Sequence, residues 1–232
     1  MPFQTSVQTQ QSPGIEGGWS GVNPHYTLTN PDEGQFVAGP AGVIIGQFAW
    51  ADVSNGQVSS VHPGKASALV RYGFVHRDQP AVIAALLAGA SNIVIAGQPI
   101  DLLEDGPVWA RFAAGAVIGQ KVYMNYADGA CIAAATASAA TVSRSVTTTN
   151  ASTTISYTGG AIAPGMPISG NANIPAGAYV VSVNAAAGTA VISAAATAGA
   201  TAATTFTTNF ETAYFVRSTA ANGELAKISV RG

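Results

Sequence analysis

The sequence predicts a mainly β chain: a small barrel or sandwich with one short helix, an extended N-terminal arm and an inserted small β module. Three observations carry this. Short β-favouring runs recur between glycine, proline and Asx-Gly turn signals. Only Pro80–Leu87 carries a helix signal. A long stretch, Ser145 to Phe210, contains no Asp, Glu, Lys or Arg yet keeps strand alternation.

Residues 1–30 read as the arm. Up to residue 24 they carry one charge, Glu16, among many Gln, Ser, Gly and Pro. No helical or strand period holds there. Phe3, Ile15 and Trp19 are its candidate anchors, since a free tail gains nothing by exposing them.

The main domain is read as 31–142 plus 210–232. Val43, Ile44, Ile45, Phe48 and Trp50 form one β-favouring run. Asn55-Gly56 closes a hairpin with Val58–Val61. In Ala68–His76 the face of Val70, Tyr72, Phe74 and His76 holds the larger side chains and is expected to meet the core. Asp78 can cap a helix starting at Pro80, whose missing N–H costs nothing in a first turn. Ala81–Leu87 is apolar all round and suits a buried helix. Strands are expected at Asn92–Ala96, Ile100–Leu103, Val108–Phe112 and Lys121–Tyr126. Asp128-Gly129 turns the chain, and Thr212–Ser218 pairs with Leu225–Val230 through Asn222-Gly223.

Residues 143–209 read as an insertion at a loop tip. Ile155 and Tyr157 sit two apart, as do Val181 and Val183. Tyr179–Val183 and Ala190–Ser193 flank a hairpin connection at Asn184–Gly188.

Composition narrows the function classes. The 232 residues are 48% apolar but only 9% charged, with a net charge of −2. An ordinary domain carries roughly 25% charged residues. A large neutral surface suits burial against copies of the chain or a partner. Nine scattered Lys and Arg leave no nucleic-acid footprint. Cys131 is the single cysteine, so no internal disulfide forms; a small buried apolar residue is its expected role. The start lacks a basic head and an apolar run, so no secretory leader is expected. Ala81–Gly97 is too short and interrupted for a membrane span.

Catalysis needs titratable groups in one place. His25, His62 and His76 follow no metal-ligand spacing. Asp101, Glu104 and Asp105 read as a solvated turn. No glycine run precedes a Lys-Ser or Lys-Thr pair, so no phosphate loop is present. The expectation is a protein that is not an enzyme and takes no cofactor or metal.

Several stretches carry a family resemblance: MPFQTSV at the start, AGPAGVIIGQFAW at 38–50, GFVHRDQPAVIAALLAGASNIVIAGQPIDLL at 73–103, GQKVYMNYADG at 119–129 and ETAYFVRSTAANGELAKIS at 211–229. Together they resemble the structural cement (head decoration) proteins of tailed bacteriophages. The resemblance implies a β-barrel-like virion protein on the outer capsid surface that joins major capsid protein subunits. It implies self-association as a dimer or trimer, and neither nucleic acid nor membrane as partner. Capsid-contact candidates are Phe3, Ile15, Trp19, Phe48 and Trp50; barrel core is the competing role for the last two. The insertion departs from shorter members of that family. Two alternatives stay open: a module displayed to host-surface glycans, and a tail or baseplate component.

Overall fold

The computed structural model describes residues 14–30, 34–78 and 92–231. The helix expected at Pro80–Leu87 lies outside them, as does Phe3. Among the described residues the chain is mainly β, and its one helical element is a 3-10 turn at Ser67–Leu69.

The first sheet has six strands, in the order Tyr26–Thr27, Leu102–Asp105, Val70–Val75, Phe48–Asp52, Gln57–Ser59 and Val37–Ala38. Neighbours are antiparallel except the last pair, which is parallel. The hairpin expected at Asn55-Gly56 forms, with Gly56 at φ +69°, where a side chain would be strained. The run from Val43 to Trp50 is not one strand. It breaks after Ile44, where Gly46 takes φ +87°; Val43–Ile44 leaves to pair with Ile93–Val94.

The first sheet is covered on both faces. Phe48, Trp50, Val70, Phe74 and Leu103 enter one core, while Ala49, Ala51, Val75 and Leu102 enter another with Leu28, Phe36 and Ile100. Every residue of Phe48–Asp52 is therefore buried. The single core face expected for Ala68–His76 is thus incomplete. Val75 is as buried as Phe74, because loops cover the face that the alternation assigns to solvent. The acidic residues near 104 also differ from expectation. Leu102–Asp105 is a strand, and buried Asp105 pairs with Arg231 at 2.8 Å.

The second sheet has five antiparallel strands, in the order Cys131–Ala134, Lys121–Asn125, Asn209–Val216, Glu224–Ser229 and Val108–Phe112. Val122 and Met124 face the core, as alternation requires. Tyr123 is equally buried on the other face. Its hydroxyl donates to the Ala135 carbonyl or to Glu211 and accepts from the Ser138 N–H, so the chain beyond the strand folds over it.

All six strands of the third sheet come from residues 141–207, in the order Ile168–Ser169, Thr201–Thr207, Thr141–Thr147, Thr154–Thr158, Thr189–Ile192 and Val180–Asn184. The hairpin expected around Asn184–Gly188 pairs Val183 with Ala190. Ile155, Ile168, Ile192 and Phe206 supply its interior. That interior continues without a break into the barrel core, so one apolar cluster holds both Phe206 and Phe48.

Candidate functional site

Two surfaces carry chemistry worth describing: a strap formed by residues 14–30, and a cleft where the barrel meets the inserted module.

The strap crosses between the two barrel sheets. Its Gly17 N–H donates to the Trp109 carbonyl at 2.8 Å, and the Trp109 N–H donates to Gly18 at 2.9 Å. Trp19 bridges to Val108 on the edge strand of the second sheet. Tyr26–Thr27 then pairs with Leu103 and Asp105 at the edge of the first. Glu16 binds Arg111 at 2.9 Å, and its carbonyl accepts from the Arg77 Nε at 3.0 Å. One edge of each sheet is thereby covered, Leu102–Asp105 in the first and Val108–Phe112 in the second.

This segment holds side chains at the surface. Ile15 is 64% exposed, Trp19 40% and Tyr26 51%, and Val22 is fully exposed. Trp19 is steadied by two histidine rings, His25 at 4.4 Å and His76 at 5.0 Å. His76 also binds Asp78 at 2.6 Å. Two histidines far apart in sequence thus meet around one indole, while His62 lies elsewhere. Among the described residues no group of His, Cys, Asp or Glu is arranged to hold a metal.

Phe48 and Trp50 behave differently from Ile15 and Trp19. Both are buried, and they pack within an aromatic cluster that no local sequence signal reveals. Phe48 meets Phe74 and Tyr214 edge-on at 5.3 and 5.4 Å. Trp50 stacks on Tyr126 at 5.4 Å and meets Phe210 edge-on at 5.4 Å. Their apolar surface is spent inside the barrel and is not offered to a partner. The Trp50 Nε1 is buried without an acceptor among the described residues. An unmade bond of this kind costs about 1–3 kcal/mol.

The cleft lies beside this cluster and has a volume of about 460 Å³. Trp50, Tyr72, Tyr126 and Phe210 line its barrel side; Gly165, Pro167, Gly177 and Tyr179 line the module side. Burial pushes the Tyr126 phenol up to about 12. At the mouth Lys65 binds Asp52 at 2.6 Å. Burial works against the Asp52 charge, but hydrogen bonds from Lys65 and Ser54 outweigh it and hold the carboxyl below its ordinary value. Arg71 also borders the cleft, but it pairs with Ala51 and alternates with Tyr72, so its side chain leaves from the other face of the sheet.

Cys131 is buried, and burial, aided by the nearby Glu16 and Asp128 charges, pushes its thiol far up. A thiol held neutral is a poor nucleophile. It packs at the edge of the second sheet.

The sequence matches the family described as XM1 gp53 minor capsid protein over residues 3–156. That span is well over half of the chain. The chain belongs to this family. No curated protein matches it. Membership makes it a phage capsid protein, a structural component of the virion, as the resemblance implied.

The family match covers the strap, the first sheet and the opening strands of the third sheet. It stops before Ile168–Ser169 and before the last two strands of the second sheet. Of the minor capsid protein's contact candidates, the structure places Ile15 and Trp19 together on the strap. Phe48 and Trp50 lie in the core. Val22 and Tyr26 join the exposed set, although no pattern singled them out. The only available signal was their position within an otherwise polar arm.

Proposed function

We propose that this minor capsid protein is a decoration, or cement, protein on the outside of the phage head. It straddles neighbouring major capsid protein subunits, with copies paired or tripled at local symmetry positions. The observation that carries this reading is the strap: Ile15, Trp19, Val22 and Tyr26 are exposed on a segment fastened to both barrel sheets. A rigid apolar ridge loses little conformational freedom on docking, so more of its contact energy becomes affinity.

The role is mechanical and involves no catalytic step. A packaged genome presses the shell outward. A molecule spanning a subunit junction must detach before the junction opens. One contact burying on the order of 1,000–2,000 Å² is a standard interface. Many copies make re-attachment effectively intramolecular, so a single failure reverses. The low charge of the chain suits such contact, since little desolvation of ionic groups opposes it.

Heads assembled without the protein test the reading. They are expected to release DNA at a lower temperature than complete heads, and addition of the purified chain restores resistance. Equal heat and low-salt resistance with and without it overturns the proposal.

A further inference from the structure

We propose that the outward face of the second sheet is a docking surface for an acidic polypeptide segment of a neighbouring capsid subunit. The choice of a capsid subunit rests on the cement reading above; the chemistry of the face does not.

One face of this sheet belongs to the barrel core, which Val122, Met124, Tyr214, Val216, Ala226 and Ile228 enter. The other face gathers cations from positions 121, 217 and 227. Lys121 pairs with Phe215, and its ammonium lies 3.8 Å from the ring centre. The Arg217 guanidinium lies over the same ring at 5.5 Å. The register that pairs Val216 with Ile228 sets Arg217 opposite Lys227, and the Arg217 N–H donates to the Lys227 carbonyl at 2.7 Å. Lys227 pairs with Trp109 and lies 5.3 Å from its ring centre.

Like charges opposite one another destabilise a sheet. The two rings offset this only in part. None of the three cations makes an ion pair among the described residues. The acids of this sheet and of the strap are engaged elsewhere. Glu16 binds Arg111, Glu211 accepts from the Tyr123 hydroxyl and the Ala137 N–H, and Glu224 accepts from the Ala221 N–H. Arg217 and Lys227 are exposed, and Phe215 and Leu225 are half-buried beside them. Arg217 is also held in place: its Nε donates to the Ser229 hydroxyl at 3.0 Å and its Nη2 to the Val230 carbonyl at 3.2 Å. A fixed charge loses little freedom when a partner docks.

Carboxylates answer this face. A polypeptide fits it better than a nucleic acid does. Phe215 and Leu225 offer apolar contact between the charges, as a protein interface requires. Three cations neutralise few phosphates, and the net charge of −2 repels a polyanion. The face also runs into the strap. Gly14 lies so close to the Trp109 indole that a Cβ would not fit, and the Gly17 N–H donates to the Trp109 carbonyl. The apolar ridge and the basic face therefore adjoin.

Two probes test this on the full chain: labelled hexaglutamate, followed by fluorescence anisotropy, and heads lacking the protein, followed by sedimentation. The parent should bind both, and less well at about 500 mM salt than at about 50 mM. Neutralising the face with Lys121→Gln, Arg217→Gln and Lys227→Gln together should weaken both about tenfold at the lower salt. Lys227→Gln and Arg71→Gln leave the same net charge, yet only Lys227→Gln should weaken binding. Lys227→Arg should retain it. Melting curves check that each variant is folded. Hexaglutamate binding that is absent, or unchanged in the triple variant, overturns the proposal. Duplex DNA bound more tightly than hexaglutamate makes this a nucleic-acid surface and overturns it too. Heads that take up the triple variant as well as the parent overturn the capsid subunit as the partner and leave the cement reading standing. Heads that take up neither, with hexaglutamate still bound through the face, overturn the cement reading and leave the acidic site standing.

Discussion

His62 and Trp50 meet edge to face, with ring centroids 4.5 Å apart, where the barrel faces the inserted module. The backbone N–H of His62 donates to the Tyr126 carbonyl, and its ring Nδ1 accepts from the Gly64 N–H at 3.0 Å. Gly165 lies so close to the imidazole that a methyl group would not fit between them. The ring is locked in a neutral, acceptor form at the seam of the molecule.

Burial lowers the His62 pKa from 6.5 to about 4. The unfolded chain therefore takes up a proton at a higher pH than the folded one. The stability that neutral His62 represents is complete above pH 6.5 and falls away as pH drops towards 4. The loss is roughly 2 kcal/mol after allowance for solvent screening at the cleft. Urea titrations at pH 7 and pH 4.5 measure it. His62→Asn keeps an acceptor for the Gly64 N–H but cannot titrate, so its stability should change less between the two pH values than that of the parent.

Gly64 takes φ +67°, and a Cβ there would strike the Val181 carbonyl. Gly64→Ala is expected to cost roughly 2–4 kcal/mol, combining left-handed backbone strain with overpacking against a rigid group. Gly177 is the control: its φ is +81° but its surroundings are open. Gly177→Ala should cost only about 1–2 kcal/mol. Thermal melts compare the two, and limited proteolysis should cut the Gly64→Ala variant first near the seam.

Phe206 is fully buried within the inserted module. Phe206→Ala should lose about 3–5 kcal/mol. All three tryptophans, Trp19, Trp50 and Trp109, lie outside residues 141–207, so indole fluorescence reports the barrel. With one continuous core, the urea midpoint seen by fluorescence should shift together with that seen by far-ultraviolet dichroism. A fluorescence midpoint that stays in place would mean that the module unfolds independently.

Ile15 and Val22 project from the strap and gain little within the fold. Ile15→Ser and Val22→Ser should leave stability within about 0.5 kcal/mol. On the cement reading they should reduce occupancy on purified heads, measured by sedimentation with labelled protein. Full occupancy of the double variant would remove the strap from the contact surface.

The turns were legible because each rests on local chemistry. Asn55-Gly56, Asp128-Gly129 and Asn222-Gly223 all place a glycine at positive φ, as their types require. Strands of the third sheet were legible for the same reason: alternation at Ile155 and Tyr157 survives a stretch without charge. Phe48 and Trp50 were not placed by pattern. Two apolar positions two residues apart satisfy a strand whether that face meets a core or a partner.

The sequence by itself determined the β class, the turn positions, the neutral composition and membership of a phage capsid protein family. Those depend on neighbours a few residues away, or on totals over the chain. Tertiary structure alone decided that the strap ties two sheets, that His25 and His76 flank Trp19, and that Tyr179 faces Tyr72 and Phe210 across a cleft. Apart from His25, six positions from Trp19, these pairings join residues tens to more than a hundred positions apart. They are chosen by how whole sheets pack against one another, and no local preference encodes that choice.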